Sequence, residues 1–260
     1  DDTVADACWA LCYITDGDNE RIEAVVAAGV CMRLVELMNH PSPNVQTPAV
    51  RTIGNIVTGS DHPTQAVIDS GAIPMLTNLM DHDKSSTRKE VMWALSNIAA
   101  GSQTQIQRLI DGKLLPKIIS MAVDQEFAIR KEAIWTLANI TSGGTESQIE
   151  YIVHNGCLEA FNNIMSSHDI KIVVVCLESV ENILKTGERD KRNRGLAENP
   201  YAESVEMVGL LDCLELLQDH EEQQVYTLAV KILEQYFAEG TEEALTTPQP
   251  SIFDFSTGFQ

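Results

Sequence analysis

Arg88-Lys-Glu-Val-Met-Trp-Ala-Leu-Ser-Asn-Ile-Ala-Ala-Gly101 returns 42 residues later as Arg130-Lys-Glu-Ala-Ile-Trp-Thr-Leu-Ala-Asn-Ile-Thr-Ser-Gly143. The same interval upstream finds Arg51-Thr-Ile-Gly-Asn-Ile-Val-Thr-Gly59, and once more Trp9-Ala-Leu-Cys-Tyr-Ile-Thr-Asp-Gly17. The unit is an aromatic residue or Arg, then Asn or Tyr four residues on, then a Gly-bearing turn. A period near 42 in a 260-residue chain implies stacked supersecondary units, not one or two globular domains.

Each unit reads as three helices. After Asp16-Gly17-Asp18-Asn19, helical spacing resumes at Ile22, Val25 and Val26 and breaks at Ala28-Gly29. From Val30 to Met38 the apolar positions Met32, Leu34, Val35, Leu37 and Met38 are too frequent for one stripe, so a middle helix covered on several sides is expected. Pro41-Ser-Pro43 stops it, Asn44 offers an N-cap for a third helix reaching about Val57, and Pro48 falls near its first turn. Gly29, Gly71, Gly112, Gly156 and Gly209 punctuate successive units, where a left-handed backbone is expected, and Pro74 and Pro116 suit the helix starts that follow. Repeats therefore fill 1–240. Lys185 to Gly195 and Ala197 to Tyr201 read as an exposed, mobile loop across 185–203, followed by a last amphipathic helix, and 241–260 as a flexible tail.

Composition narrows the function. A net charge of −20 and 44% hydrophobic residues describe an ordered chain that repels nucleic acid and anionic membranes and attracts cationic partners. No apolar run reaches the length of a membrane span, and nothing resembles a signal peptide. The six cysteines form no Cys-x-x-Cys pair and read as buried reduced thiols; no phosphate loop, catalytic grouping, metal spacing or cofactor motif appears, so an enzyme is not expected.

Chemistry gathers in the third helices. Residues four apart share a helical face, so stacking turns Trp93 and Trp135, and Asn97 and Asn139, into two parallel columns. Asn is a poor helix-interior residue, yet it recurs at Asn55, Asn97, Asn139 and Asn182; its amide can donate to and accept from an extended backbone. Indole faces on helices packed about 8–10 Å apart make slots for long aliphatic stems ending in a cation. Glu90 and Glu132, three residues before each Trp, place a carboxylate beside each slot. Taken singly, a Trp in a helical stripe is core and a Glu a solvated face; the joint repetition points to a ladder that binds Lys or Arg side chains.

These phrases resemble the armadillo repeats of the importin-α (karyopherin-α) family, adaptors that carry proteins with basic nuclear localisation signals. Arg-Lys-Glu-x-x-Trp-x-Leu-x-Asn-Ile at 88–98 and 130–140, Gly54 to Gly59, Cys8 to Tyr13 and Cys176 to Leu184 look like its fifth to ninth repeats in order, so that 1–240 resembles the fifth to tenth, the first one partial. The resemblance implies an all-α, right-handed superhelical armadillo solenoid whose third helices line a concave groove, with the family's minor signal site retained. It carries Trp93, Asn97, Trp135 and Asn139 onto the ladder, Glu90 and Glu132 onto its acids, and Val57, Thr58 and Asp61 with Asn97 onto a deep lysine pocket. Arg51 stands at a Trp position and Tyr13 at an Asn position, which interrupts the ladder. Glu178 stands at the next Trp position despite Asn182, and Trp9 would edge the major site. The family's amino-terminal segment that binds importin-β is not in this sequence. By the same resemblance, the last repeats meet the export receptor with Ran-GTP, and the protein shuttles between cytoplasm and nucleus. A β-catenin-like armadillo scaffold, which binds other extended peptides in a basic groove, is the alternative; the sparse Lys and Arg on these third helices argue against it.

Overall fold

The computed structural model describes residues 1–238, and these contain sixteen α-helices and no strand. The chain opens with α1 (Asp2–Thr15), whose phrase matches a third helix. Five complete triplets follow in order, the first four being α2 (Asn19–Ala27), α3 (Cys31–Leu37) and α4 (Pro43–Ile56); α5 (Asp61–Asp69), α6 (Ala72–Leu79) and α7 (Ser85–Ala99); α8 (Gln103–Asp111), α9 (Leu115–Asp124) and α10 (Phe127–Gly143); α11 (Glu146–His154), α12 (Cys157–Met165) and α13 (Ile170–Arg194). The last is α14 (Ala202–Met207), α15 (Leu210–Leu217) and α16 (Gln223–Tyr236). The expected 241–260 tail lies outside the described residues.

Each layer packs on its counterpart in the next repeat. The third helices α1, α4, α7, α10, α13 and α16 stack in series, α2, α5, α8 and α11 form a second row, and α9, α12 and α15 a third. Apolar positions of the third helices point between repeats: Val91, Leu95 and Ile98 in α7 and Ile129, Ala133, Leu137 and Ile140 in α10 are fully or almost fully buried. The hydrophobic core is thus one continuous column. Polar caps join it to the layer above: Ser102 and Gln105 form a capping box on α8, and the same Gln105 amide donates to Asp61 O at 2.9 Å in the preceding repeat. Thr145 and Gln148 repeat the device, with Gln148 donating to Gln103 O at 2.9 Å. One side chain both caps its own helix and ties it to its neighbour.

Several sequence expectations change. The segment 185–203 is not one loop: α13 runs through Lys185 and Gly187 to Arg194 and ends at Gly195 in the left-handed region, leaving 195–201 as the connection to α14. Gly187 acts as a contact surface there, not a helix breaker: a Cβ on it would stand 2.0 Å from Asn199 Oδ1. Asn199 is itself buried, donating to Leu184 O at 2.9 Å and accepting from Tyr201 N at 3.0 Å. The third helix α4 starts at Pro43 after Ser42, so Asn44 is not its cap, and Pro48 lies inside it. Met32 is 65% exposed, so α3 keeps one solvated side. Gly29, Gly71, Gly156 and Gly209 have the expected positive φ, whereas at Gly112 the left-handed residue is its neighbour Lys113.

All six cysteines are free, and burial raises every one of their thiol pKa values. A protonated thiol is neither a nucleophile nor a metal ligand at neutral pH.

The ladder on the third helices

Trp93 lies against the third helix of the preceding repeat. A Cβ built on Gly54 would sit 2.5 Å from Trp93 Cζ3, so the indole rests on the bare backbone of α4. One turn earlier on α4, the Arg51 guanidinium stands 5.0 Å from the Trp93 ring centroid. It also donates to both carboxylate oxygens of Glu90, at 2.7 and 2.8 Å. That hydrogen bond, the largest influence on Arg51, holds its pKa above the already high guanidinium value. The chain thus contains the chemistry expected of a ligand slot, with its own arginine on the indole and its own glutamate as counter-ion. Glu90 is therefore engaged internally, where the sequence reading left it open to a ligand.

Trp135, one repeat on, is 38% exposed, and no cation of the chain lies over it among the described residues. Lys131, on the same helix, is turned to Asp169 at 2.5 Å and lies over the Phe127 ring. Glu132 is half-buried, and burial raises its carboxyl pKa; Lys89 and Lys131 pull it down, while Glu90 adds to the rise.

The recurrent asparagines divide in two. Asn55 is only 3% exposed, and its amide donates to Cys12 O at 3.0 Å and Thr15 Oγ1 at 3.3 Å on α1. Its amide donor is committed as a strut between repeats, where the sequence reading left it open to a ligand. Asn139 makes the matching bond, donating to Ser96 O at 2.9 Å on α7, but stays half-buried with its carbonyl oxygen uncommitted among the described residues. Asn97 is half-buried too, and its buried Nδ2 has no hydrogen-bond partner among the described residues. An unsatisfied amide donor in that position is costly unless something else accepts from it.

The remaining expected residues surround this pair of slots. Val57 is buried at the end of α4, Thr58 is exposed with its hydroxyl donating to Asn55 O at 2.7 Å, and Asp61 is exposed at the start of α5. Upstream, Trp9 and Tyr13 stack at 6.0 Å with Tyr13 71% exposed. A hollow of about 280 Å³ lies between them and the Arg51–Glu90 pair. Downstream, Glu178 is exposed and Asn182 half-buried on α13. Sequence reasoning missed Gly54 altogether. Its signal was available, because a glycine inside a helix costs roughly 1 kcal/mol against alanine and asks for a close approach.

Comparison with known proteins agrees with this architecture. The armadillo/β-catenin-like repeat model matches residues 18–58 and 60–100, and an atypical armadillo repeat model matches 199–251. A designed armadillo repeat protein in complex with the peptide (KR)4 superposes with a TM-score of 0.77 at 30% identity, covering 88% of this chain and 91% of that one. The chain belongs to the armadillo-repeat family. Within it, the sequence is similar to importin-α subunits: 58% identical over 257 residues to importin subunit alpha-B of Dictyostelium discoideum, covering 98% of this chain and 49% of that protein. Importin subunit alpha-1b of rice, Oryza sativa subsp. japonica, is 44% identical over 262 residues, covering 100% of the chain and 49% of its own length. The chain spans about half the length of these curated relatives. These are scaffolds, not enzymes.

Proposed function

We propose that the face lined by the third helices binds extended Lys- and Arg-rich peptides, and that the chain is the corresponding part of a nuclear import adaptor that reads basic localisation signals. The observation that carries this reading is the Arg51 guanidinium seated 5.0 Å over Trp93 and held by Glu90, because it is an internal example of the contact a ligand would make at Trp135 beside Glu132. A cation over an indole gains about 0.5–2 kcal/mol, more as the site dries. The net charge of −20 adds long-range attraction.

In this proposal Trp93 and Trp135 wall the side-chain slots. The Asn97 donor and the Asn139 carbonyl take the peptide backbone, whose residues advance about 3.3 Å each, so that a repeat meets two or three of them. Asp61 and Thr58 receive a lysine near Asn97. Support for a basic ligand comes also from the similar designed protein, which was solved with (KR)4. Contacts of the last repeats with the export receptor and Ran-GTP, and shuttling between cytoplasm and nucleus, are part of the same proposal by the similarity to importin-α.

Calorimetric titration with a (KR)4-type peptide tests it. Saturable binding that weakens as salt is added is expected. Equal affinity for a phosphoserine-rich peptide of the same length would favour a β-catenin-like scaffold instead.

A further inference from the structure

The third helices α4, α7 and α10 end within about four residues of their asparagine, but α13 continues for twelve residues beyond Asn182. Its ladder stripe continues with it. Glu178, Asn182, Lys185, Arg189 and Arg192 follow one another at intervals of four, three, four and three, which keeps them on one face of the helix. On α16, Lys231 and Gln235 are spaced like Trp135 and Asn139. Glu178 holds the Trp position of α13, and beyond Asn182 the stripe carries cations where the middle repeats carry indole and acid.

These cations are not all neutralised. Lys185 and Lys231 both reach the same Glu181 carboxylate oxygen, each at 2.6 Å, so two positive charges share one negative. Burial by itself would raise the Glu181 pKa, but the two lysines outweigh it and keep the group ionised. Arg189 lies 3.5 Å from Glu146, and Arg192 is exposed and meets no carboxylate among the described residues. Glu188 accepts from Asn199 at 3.0 Å, and Asp190 is taken by Arg194 at 2.8 Å. An open hollow of about 520 Å³ lies among Lys185, Glu188, Arg189, Arg192, Gln235 and Tyr236. The Tyr236 hydroxyl at its wall is buried and has no hydrogen-bond partner among the described residues. Basic residues in the last turn of a helix offset its dipole, which accounts for Lys191 and Arg194, whereas Arg192 in the same turn also lines the hollow with Lys185 and Arg189. Lys185 and Arg189 lie before that turn and need another reason.

The geometry points to a second, opposite-charge subsite: the Lys185, Arg189 and Arg192 stripe docks an Asp- or Glu-rich segment joined in the same extended peptide to the basic segment held at Trp93 and Trp135. Charge complementarity defines the occupant, and the rest of the protein explains why it must be joined. A net charge of −20 repels an acidic peptide that arrives alone. Tethered to a bound basic segment, the same acids meet the stripe at high effective concentration. The inference rests on the groove reading for the basic segment only.

Labelled peptides test it at low ionic strength: a Lys/Arg-rich octapeptide, the same peptide with a Glu-rich extension at its amino end or at its carboxy end, and the Glu-rich peptide alone. The wild-type chain should bind one extended form about five- to tenfold more tightly than the plain octapeptide. Arg189→Gln/Arg192→Gln should abolish that gain and leave plain octapeptide affinity unchanged; Arg192→Glu alone, at an exposed position, should turn the gain into a loss. The inference is overturned if neither extension binds more tightly, or if the gain survives both variants. If the plain octapeptide fails to bind, the groove reading falls; the tethered subsite is then overturned as well unless an extended peptide still binds wild type more tightly than Arg192→Glu. A single-stranded oligonucleotide that outcompetes the extended peptide in wild type but not in Arg192→Glu would overturn the peptide assignment.

Discussion

In α4 and α10 the same two positions of the repeat differ in what they leave to solvent, although both asparagines donate to the preceding repeat. Arg51 and Asn55 on α4 turn to neighbouring helices, the guanidinium to Trp93 and Glu90 and the amide to Cys12 and Thr15. Trp135 and Asn139 on α10 stand at those positions with an indole face and an amide oxygen left toward solvent. The comparison shows that a repeat position acquires its duty from the repeats on either side. Arg51 leans onto α7 because the following repeat offers an indole and a carboxylate, and that indole can approach because Gly54 has no side chain.

The largest test of this contrast removes the indoles. Trp135→Ala should lower affinity for a basic peptide about tenfold and barely change the melting temperature; adding Trp93→Ala, whose indole already carries Arg51, should lower affinity further but by less than a second tenfold. Asn55→Ala should behave in the reverse way. Losing a buried amide bonded between repeats should cost about 1–3 kcal/mol of stability, visible as a drop of several degrees in thermal melts, with calorimetric peptide affinity unchanged in the folded fraction. If Asn55→Ala weakens binding as much as the Trp changes do, the division of labour between α4 and α10 is wrong.

A smaller effect is expected from Arg51→Ala. It uncovers the Trp93 face and releases Glu90, so a lysine peptide should bind a few-fold more tightly at low salt, and the gain should vanish as salt is added. A loss of affinity in the same titration would mean that Arg51 holds Trp93 and Glu90 in place for the ligand and does not compete with it.

How much of this was legible follows from what each feature depends on. The stacked three-helix plan and the Trp and Asn columns were readable because they repeat at a fixed interval, and periodicity survives ignorance of side-chain contacts. The Arg51–Glu90 pair depends on which faces of α4 and α7 meet, although its separation of 39 residues, three short of the period, was a usable hint. Asn55 and Asn139 are the same residue at the same position, and only burial separates them. The segment 185–203 was misread because Gly187, Pro200 and a run of charges have loop composition. The helix persists there because Gly187 admits Asn199 and Tyr201 closes over it.

The smallest expected effect lies at Glu132 and gives two slopes of opposite sign. Burial, opposed by Lys89 and Lys131 and assisted by Glu90, raises its pKa in the free folded chain. A folded-state pKa above the unfolded one means that this group's contribution to stability is fully present below the unfolded pKa and is lost as pH rises through the folded one. A lysine or arginine seated beside Glu132 favours the ionised form, so binding lowers the pKa and releases protons. Affinity should therefore rise with pH, by less than about tenfold across the raised pKa, while the same titration slightly lowers stability. Glu132→Gln should flatten both slopes and weaken binding at neutral pH. Calorimetry in two buffers of different ionisation enthalpy measures the proton release directly. If no protons are released just above the ordinary carboxylate range, Glu132 does not face the bound cation, and the slot at Trp135 works by its indole alone.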